Sequence, residues 1–206
     1  MHIPDGFIDI PTSVAFAGLA ATGVAISLKG ARSSLDEKTA PLAGLTATFI
    51  FAVQMLNFPV AAGTSGHLLG GALAAVLVGP WAASLALTVV LLMQALLFAD
   101  GGLTALGLNI FNMSLVGVWV GYLIFILVKK FLPKNKSSIS IAAFLAGLIS
   151  VPCAAAGFVL QYAIGGTATF SISQVLTAML GTHFLIGIGE GVITALAVGA
   201  VMASRS

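Results

Sequence analysis

The stretch HLLGGALAAVLVGP, residues 67–80, decides how the chain is threaded. It is apolar after His67, yet a hydrocarbon core about 30 Å thick needs roughly 20 residues of helix, and the segment 67–78 is too short to span comfortably. Gly70, Gly71, Gly79 and Pro80 would also permit a broken or re-entrant piece. Longer apolar runs lie at 12–28, 41–60, 81–98, 104–128, 139–164 and 173–202. Lys29, Arg32 and Lys38 follow the first run, Lys129, Lys130, Lys134 and Lys136 follow 104–128, and Arg205 follows the last. Lysine and arginine mark cytoplasmic loops, so these three places are expected on the inner side. An even number of crossings must then separate the first two clusters. Runs 41–60, 81–98 and 104–128 supply an even number only when 67–78 is counted with them. The expected fold is all-α: a single membrane-embedded domain over 1–206 with about seven transmembrane helices, N-terminus outside and C-terminus cytoplasmic. On that topology the N-terminal tip and the connections 57–67, 99–103 and 165–172 share the outer face.

Composition sets the class independently. The 206 residues are 59% hydrophobic and 7% charged, against about 25% charged in soluble domains, and the mean hydropathy is +1.14. The net charge is +2, with no basic stripe interleaved with aromatics, which argues against a nucleic-acid partner. Cys153 is the only cysteine and lies in an apolar run, so no intramolecular disulfide forms. The residues ahead of the first run carry Asp5 and Asp9 but no Lys or Arg, unlike a secretory signal. The chain is expected to keep Met1, because His2 is too large for the usual removal of the initiator.

Ionisable and amide side chains inside a membrane are costly and are functional candidates by default. His183 and Glu190 stand seven residues apart on one helical face. A structural role, each satisfying the other or a neighbouring helix, is favoured for them over ligand contact. Asn109 and Asn112 are expected to be hydrogen-bond partners between helices. Asp100, followed by Gly101 and Gly102, reads most simply as a turn. Met55, Met93, Met113, Met179 and Met202 read as packing residues.

The sequence opens MHIPDG, and histidine at position 2 has a specific consequence. The Met1 amine, the His2 amide nitrogen and His2 Nδ1 can close fused five- and six-membered chelate rings on one ion. Three nitrogens then lie in a plane, and a second imidazole would complete the square. Planar nitrogen coordination suits Cu(II) or Ni(II), with Co(II) less favoured; zinc prefers a tetrahedron, and magnesium and calcium prefer oxygen. The amine must be deprotonated, with a reference pKa of about 7.7–8.0, and the amide proton displaced, so affinity should fall with pH. His67 and His183 are the available second imidazoles, and His67 is preferred because its connection shares the outer face.

MHIPDG at the start, GTSGHLLGG at 63–71, LVGPWAA at 77–83 and LLMQALLFADGGLTALGLNIFNM at 91–113 resemble the CbiM/NikM family. Its members are the substrate-binding membrane subunits of energy-coupling factor transporters for cobalt and nickel. The resemblance covers essentially the whole chain. It implies a seven-helix fold whose additional N-terminal helix brings the terminus into the core, and Ni2+ or Co2+ as bound substrate. The ligands it implies are the Met1 amine, the His2 amide and ring, and the His67 ring. It also implies a prokaryotic cell membrane, a transmembrane coupling subunit, two cytoplasmic ABC ATPases and a small auxiliary membrane subunit. The chain has no GxxxxGK[ST] phosphate loop, so an ATP-driven step must come from such partners. Asp5, Ser65, Asn109, Asn112 and His183 are candidates for supporting the ligands. The competing reading is a rhomboid-like intramembrane serine protease, with Ser65 of GTSG as nucleophile and His183 as base. Such a four-letter match is weak in a glycine-rich chain, and without HExxH a zinc protease is weaker still.

Overall fold

The computed structural model describes residues 1–34, 36–37, 39–60 and 64–204. Lys38, Gly63 and Arg205, which the sequence reading used, lie outside them. The described helices are α1 (Ile10–Arg32), α2 (Thr39–Gln54), α3 (Gly71–Val78), α4 (Pro80–Leu97), α5 (Leu106–Phe131), α6 (Lys136–Gly165) and α7 (Ile172–Ser204). Of these, α1, α4, α5, α6 and α7 are long and apolar enough to cross a membrane. Helix α2 is shorter, and α3 is one short buried piece.

The run 41–60 does not end as expected. Its helix stops at Gln54, and Phe58–Val60 instead forms strand β1, paired antiparallel with β2 (Thr64–Gly66). Helix α3 likewise begins at Gly71 rather than at His67. The physical reason is local. Gly70 sits at φ 76, a left-handed conformation that favours glycine, and it turns the chain from the hairpin into the helix. The stretch His67–Gly70 is therefore a non-helical link held among helices, which a membrane protein tolerates only where the backbone is otherwise satisfied. The Glu190 carboxylate of α7 does this, accepting from Leu69 N at 2.6 Å and Gly70 N at 3.0 Å.

Short as it is, α3 is the hub of the bundle. It packs against α2, α4, α5, α6 and α7, and Gly71 through Ala75 are buried. The approach is close because both sides are small. A Cβ on Gly121 of α5 would sit 2.9 Å from Ala72 Cα, too near to be accommodated without movement. Helices α6 and α7 form the most extensive pair. Helix α5 carries a π-helical stretch, Ile110–Gly117, an irregularity common beside functional sites.

Candidate metal centre

The N-terminal tip is threaded into the bundle. Asp9 caps α1 through Thr12 N at 2.9 Å, and its own amide donates to Gly165 O at 2.7 Å. Thr167 N donates to Phe7 O at 3.1 Å, and the Phe7 ring packs against Phe158 and Tyr162. Asp5 Oδ1 accepts from Thr104 N at 2.7 Å and Thr104 Oγ1 at 2.6 Å. Gly102 N donates to Ile3 O at 2.8 Å. Asn109 closes on both polar groups of Ile3, accepting from its N–H at 2.8 Å and donating to its carbonyl at 3.2 Å. The Met1 amine donates to the Ser65 carbonyl and lies 3.5 Å from Ser65 Oγ. Four stretches expected to share one face thus meet: the tip, the 57–67 hairpin and the connections after α4 and α6.

At their meeting point lie two stacked imidazoles. The rings of His2 and His67 are 4.6 Å apart, both buried. Gln94 of α4 presents Oε1 to His2 Nε2 at 3.2 Å, a contact made in the tautomer that carries the proton on Nε2 and leaves Nδ1 its lone pair. That Nδ1 faces Asp100 Oδ1 at 3.2 Å without forming a hydrogen bond. His67 Nδ1 donates to Leu68 O at 2.9 Å, and its Nε2 is buried without a partner. His183 resembles it, with Nδ1 donating to Met179 O at 2.8 Å and Nε2 unpartnered.

Burial keeps these nitrogens uncharged. It pushes the Met1 amine down from 8.0 to about 4, against the pull of Asp100 in the other direction. Burial, with the nearby amine, pushes His2 down to about 3. Asp100 is shifted the other way, raised by its own burial. Hydrogen bonds from Thr104 hold Asp5 below the usual carboxylate value. Uncharged amine and imidazole are the forms that donate lone pairs to a metal. Among the described residues no group of three or more His, Cys, Asp or Glu side chains is placed to hold an ion.

The remaining expectations divide. Asn112 does pair between helices, exchanging two amide hydrogen bonds with Gln161 of α6 at 2.7 and 3.0 Å. Asn109 instead clamps the tip. His183 and Glu190 do not satisfy each other, since seven residues of helix rise about 10 Å and each finds its own backbone partner. Asp100 is more than a turn residue, because its carboxylate faces His2 and accepts from Asn57 Nδ2 at 3.0 Å. Ser65 and His183 form no dyad: Ser65 Oγ is beside the Met1 amine, and neither ring nitrogen of His183 bonds to it. Sequence reasoning passed over Gln94, although a lone amide in the apolar run of α4 is itself a signal.

Five helices of membrane-spanning length, and a cavity lined by the N-terminal tip, the hairpin and the 99–103 connection, define a polytopic membrane protein with a candidate small-ligand site. The comparisons make the class specific. The family described as "CbiM: Cobalt uptake substrate-specific transmembrane region" matches residues 2–206, and the chain belongs to it. The cobalt transport protein CbiM of Sorangium cellulosum is 36% identical over 212 residues, spanning 100% of this chain and 92% of that one. A protein of Archaeoglobus fulgidus that carries the assigned name of fused nickel transport protein NikMN is 42% identical over 205 residues. This chain spans 66% of that longer protein. A crystal structure of a truncated transition metal transporter superposes with a TM-score of 0.87 at 32% identity, covering 99% of each chain. These relatives are named as transport proteins, not enzymes.

Proposed function

We propose that this chain is the substrate-binding subunit of an ATP-driven energy-coupling factor importer and that it takes up Ni2+ or Co2+. The observation that carries this reading is the set of buried, uncharged nitrogens at the tip. The Met1 amine, the His2 amide, His2 Nδ1 and the imidazole of His67 form the donor set. Two of these share one residue, and the rings of His2 and His67 already stack. The chelate formed by the first three is planar, and a dication of the nickel or cobalt type polarises the amide enough to displace its proton. Asn109, Asp5, Ser65 and Gln94 support the site by fixing the tip and the His2 ring.

The cleft faces outside, the ion is captured there, and reorientation of the subunit against a transmembrane coupling partner releases it inward. Two cytoplasmic ABC ATPases drive that step, and a small auxiliary membrane subunit completes the assembly. The test is a Ni2+ titration and metal analysis of purified protein beginning at Met1, beside a variant with one residue added ahead of it. The first should bind about one equivalent tightly, and the second should lose tight binding while keeping its helical content. Equal binding by both would remove the amine from the ligand set.

A further inference from the structure

We infer that Asp100 is a capture residue for the metal, a carboxylate that first receives the hydrated dication and passes it to His2. This rests on the reading of the tip as the metal centre. A cavity of about 600 Å³ opens over the tip, with His2 among its lining residues and Asp5 and Asp100 as its charged side chains. Among the described residues lining it there is no lysine or arginine. Negative walls with nothing to neutralise them focus field lines and raise the local concentration of cations.

The acids alone would say little. The second observation is the buried acceptor that points at one of them. His2 is 4% exposed, its Nδ1 has no hydrogen-bond partner, and Asp100 Oδ1 stands 3.2 Å away. With the His2 proton on the Gln94 side, two lone-pair atoms face each other, which is unfavourable until a cation interacts with both. Asp100 is itself held for this position. Ala99 before it adopts φ 51 and Gly101 after it φ 90, while Asn57 Nδ2 binds the far oxygen at 3.0 Å. The side chain is 15% exposed, reaching both water and the ring. Asp5 differs, since both donors of Thr104 converge on one of its oxygens and tie it to the docked tip.

The sequence of events is then simple. The aquo ion enters the cavity and pairs with Asp100 through its water shell. Waters leave as His2 Nδ1, the amide and the amine take their place, and the amide proton departs to solvent. Asp100 acts on arrival, so its signature is kinetic.

Stopped-flow binding of aqueous Ni2+ to protein beginning at Met1 tests this. Asp100→Asn should lower the association rate constant about tenfold at low salt and flatten its dependence on ionic strength. Dissociation should change by less than about twofold, and Asp100→Glu should restore most of the rate. Asp9→Asn removes the same charge near the same face, outside the cavity, and keeps a competent helix cap; it should leave association unchanged. An association rate unaltered by Asp100→Asn, an equal loss with Asp9→Asn, or an effect confined to dissociation would each overturn the proposal. Absence of Ni2+ binding by the unmodified protein would instead overturn the metal centre beneath it.

Discussion

Two buried polar clusters in this bundle are built on opposite terms. Asn112 of α5 and Gln161 of α6 exchange both their amide hydrogen bonds and are complete. His2 and His67 are as deeply buried, yet each keeps a ring nitrogen with no hydrogen-bond partner. A polar group buried without a partner costs about 1–3 kcal/mol, so a fold retains several together at a point only where something else uses them. The first cluster is what polar side chains do when they hold membrane helices together. The second leaves lone-pair nitrogens unsatisfied beside the Met1 amine, which is the arrangement the proposed metal centre requires.

Substituting the donors should separate the two clusters most sharply. His67→Ala removes an expected ligand and should weaken Ni2+ binding by about a hundredfold or more, read by calorimetric titration, with little change in helical content. His183→Ala removes the other imidazole with an unpartnered Nε2 and should cost no more than about threefold. The opposite ranking would place the fourth ligand on α7 and leave His67 as a structural residue of the hairpin link.

The response to pH gives the next largest effect. Exposed Met-His termini compete with protons at the amine near 8.0 and at the ring near 6.5. Here burial lowers them to about 4 and about 3. Both groups are therefore already deprotonated at pH 7 in the docked tip, and binding should release about one proton, from the amide. Affinity should fall about tenfold per pH unit between pH 8 and 6, not the hundredfold per unit of a two-proton process. The sign for docking is the same. The undocked tip binds more protons than the docked one, so docking is strongest above pH 8 and weakens as pH falls toward 4 for the amine, and from 6.5 toward 3 for His2. Proton release measured in buffers of different ionisation enthalpy checks this, and two protons released at pH 7 would show that the amine is exposed before the metal arrives.

Much of the fold was legible because charge and hydrophobicity act over long runs. Lysine parity required the 67–78 segment to be counted as a crossing, whereas α3 is an eight-residue buried helix at the hub of the bundle, too short to be one of the five membrane-length helices. The hairpin was not legible, because Phe58, Pro59 and Val60 prolong an apolar run, and a short apolar run does not distinguish strand from helix. At the candidate site, Met1 and His2 were legible as possible donors because a terminal chelate depends on sequence position alone, and the structure buries both beside His67. Asp100 did not, because Asp-Gly-Gly is a turn signal and a turn can also present its carboxylate. The spacing of His183 and Glu190 correctly put them on one face, but a shared face says nothing about which backbone groups will meet them.

The smallest expected effect is also the one that tests how the tip is held. Asn109 and Asn112 are three residues apart on α5 and both buried, yet only Asn109 touches the tip, through both polar groups of Ile3. Asn109→Ala leaves the Ile3 N–H unpaired and removes one of the two hydrogen bonds to its carbonyl, which loosens the segment just beyond His2, so the two chelate rings must be ordered at the moment of binding. Losses of about 10-fold to 100-fold are usual for residues that orient ligands, and about tenfold is expected here because Gly102 N still holds Ile3 O. Asn112→Ala leaves Gln161 unpaired and should lower thermal stability by an amount equivalent to about 1–3 kcal/mol, with Ni2+ affinity within about twofold. Equal affinity losses from the two changes would mean that the tip responds to general loosening of α5, and the distinction between a completed pair and a positioned donor set would have to be given up.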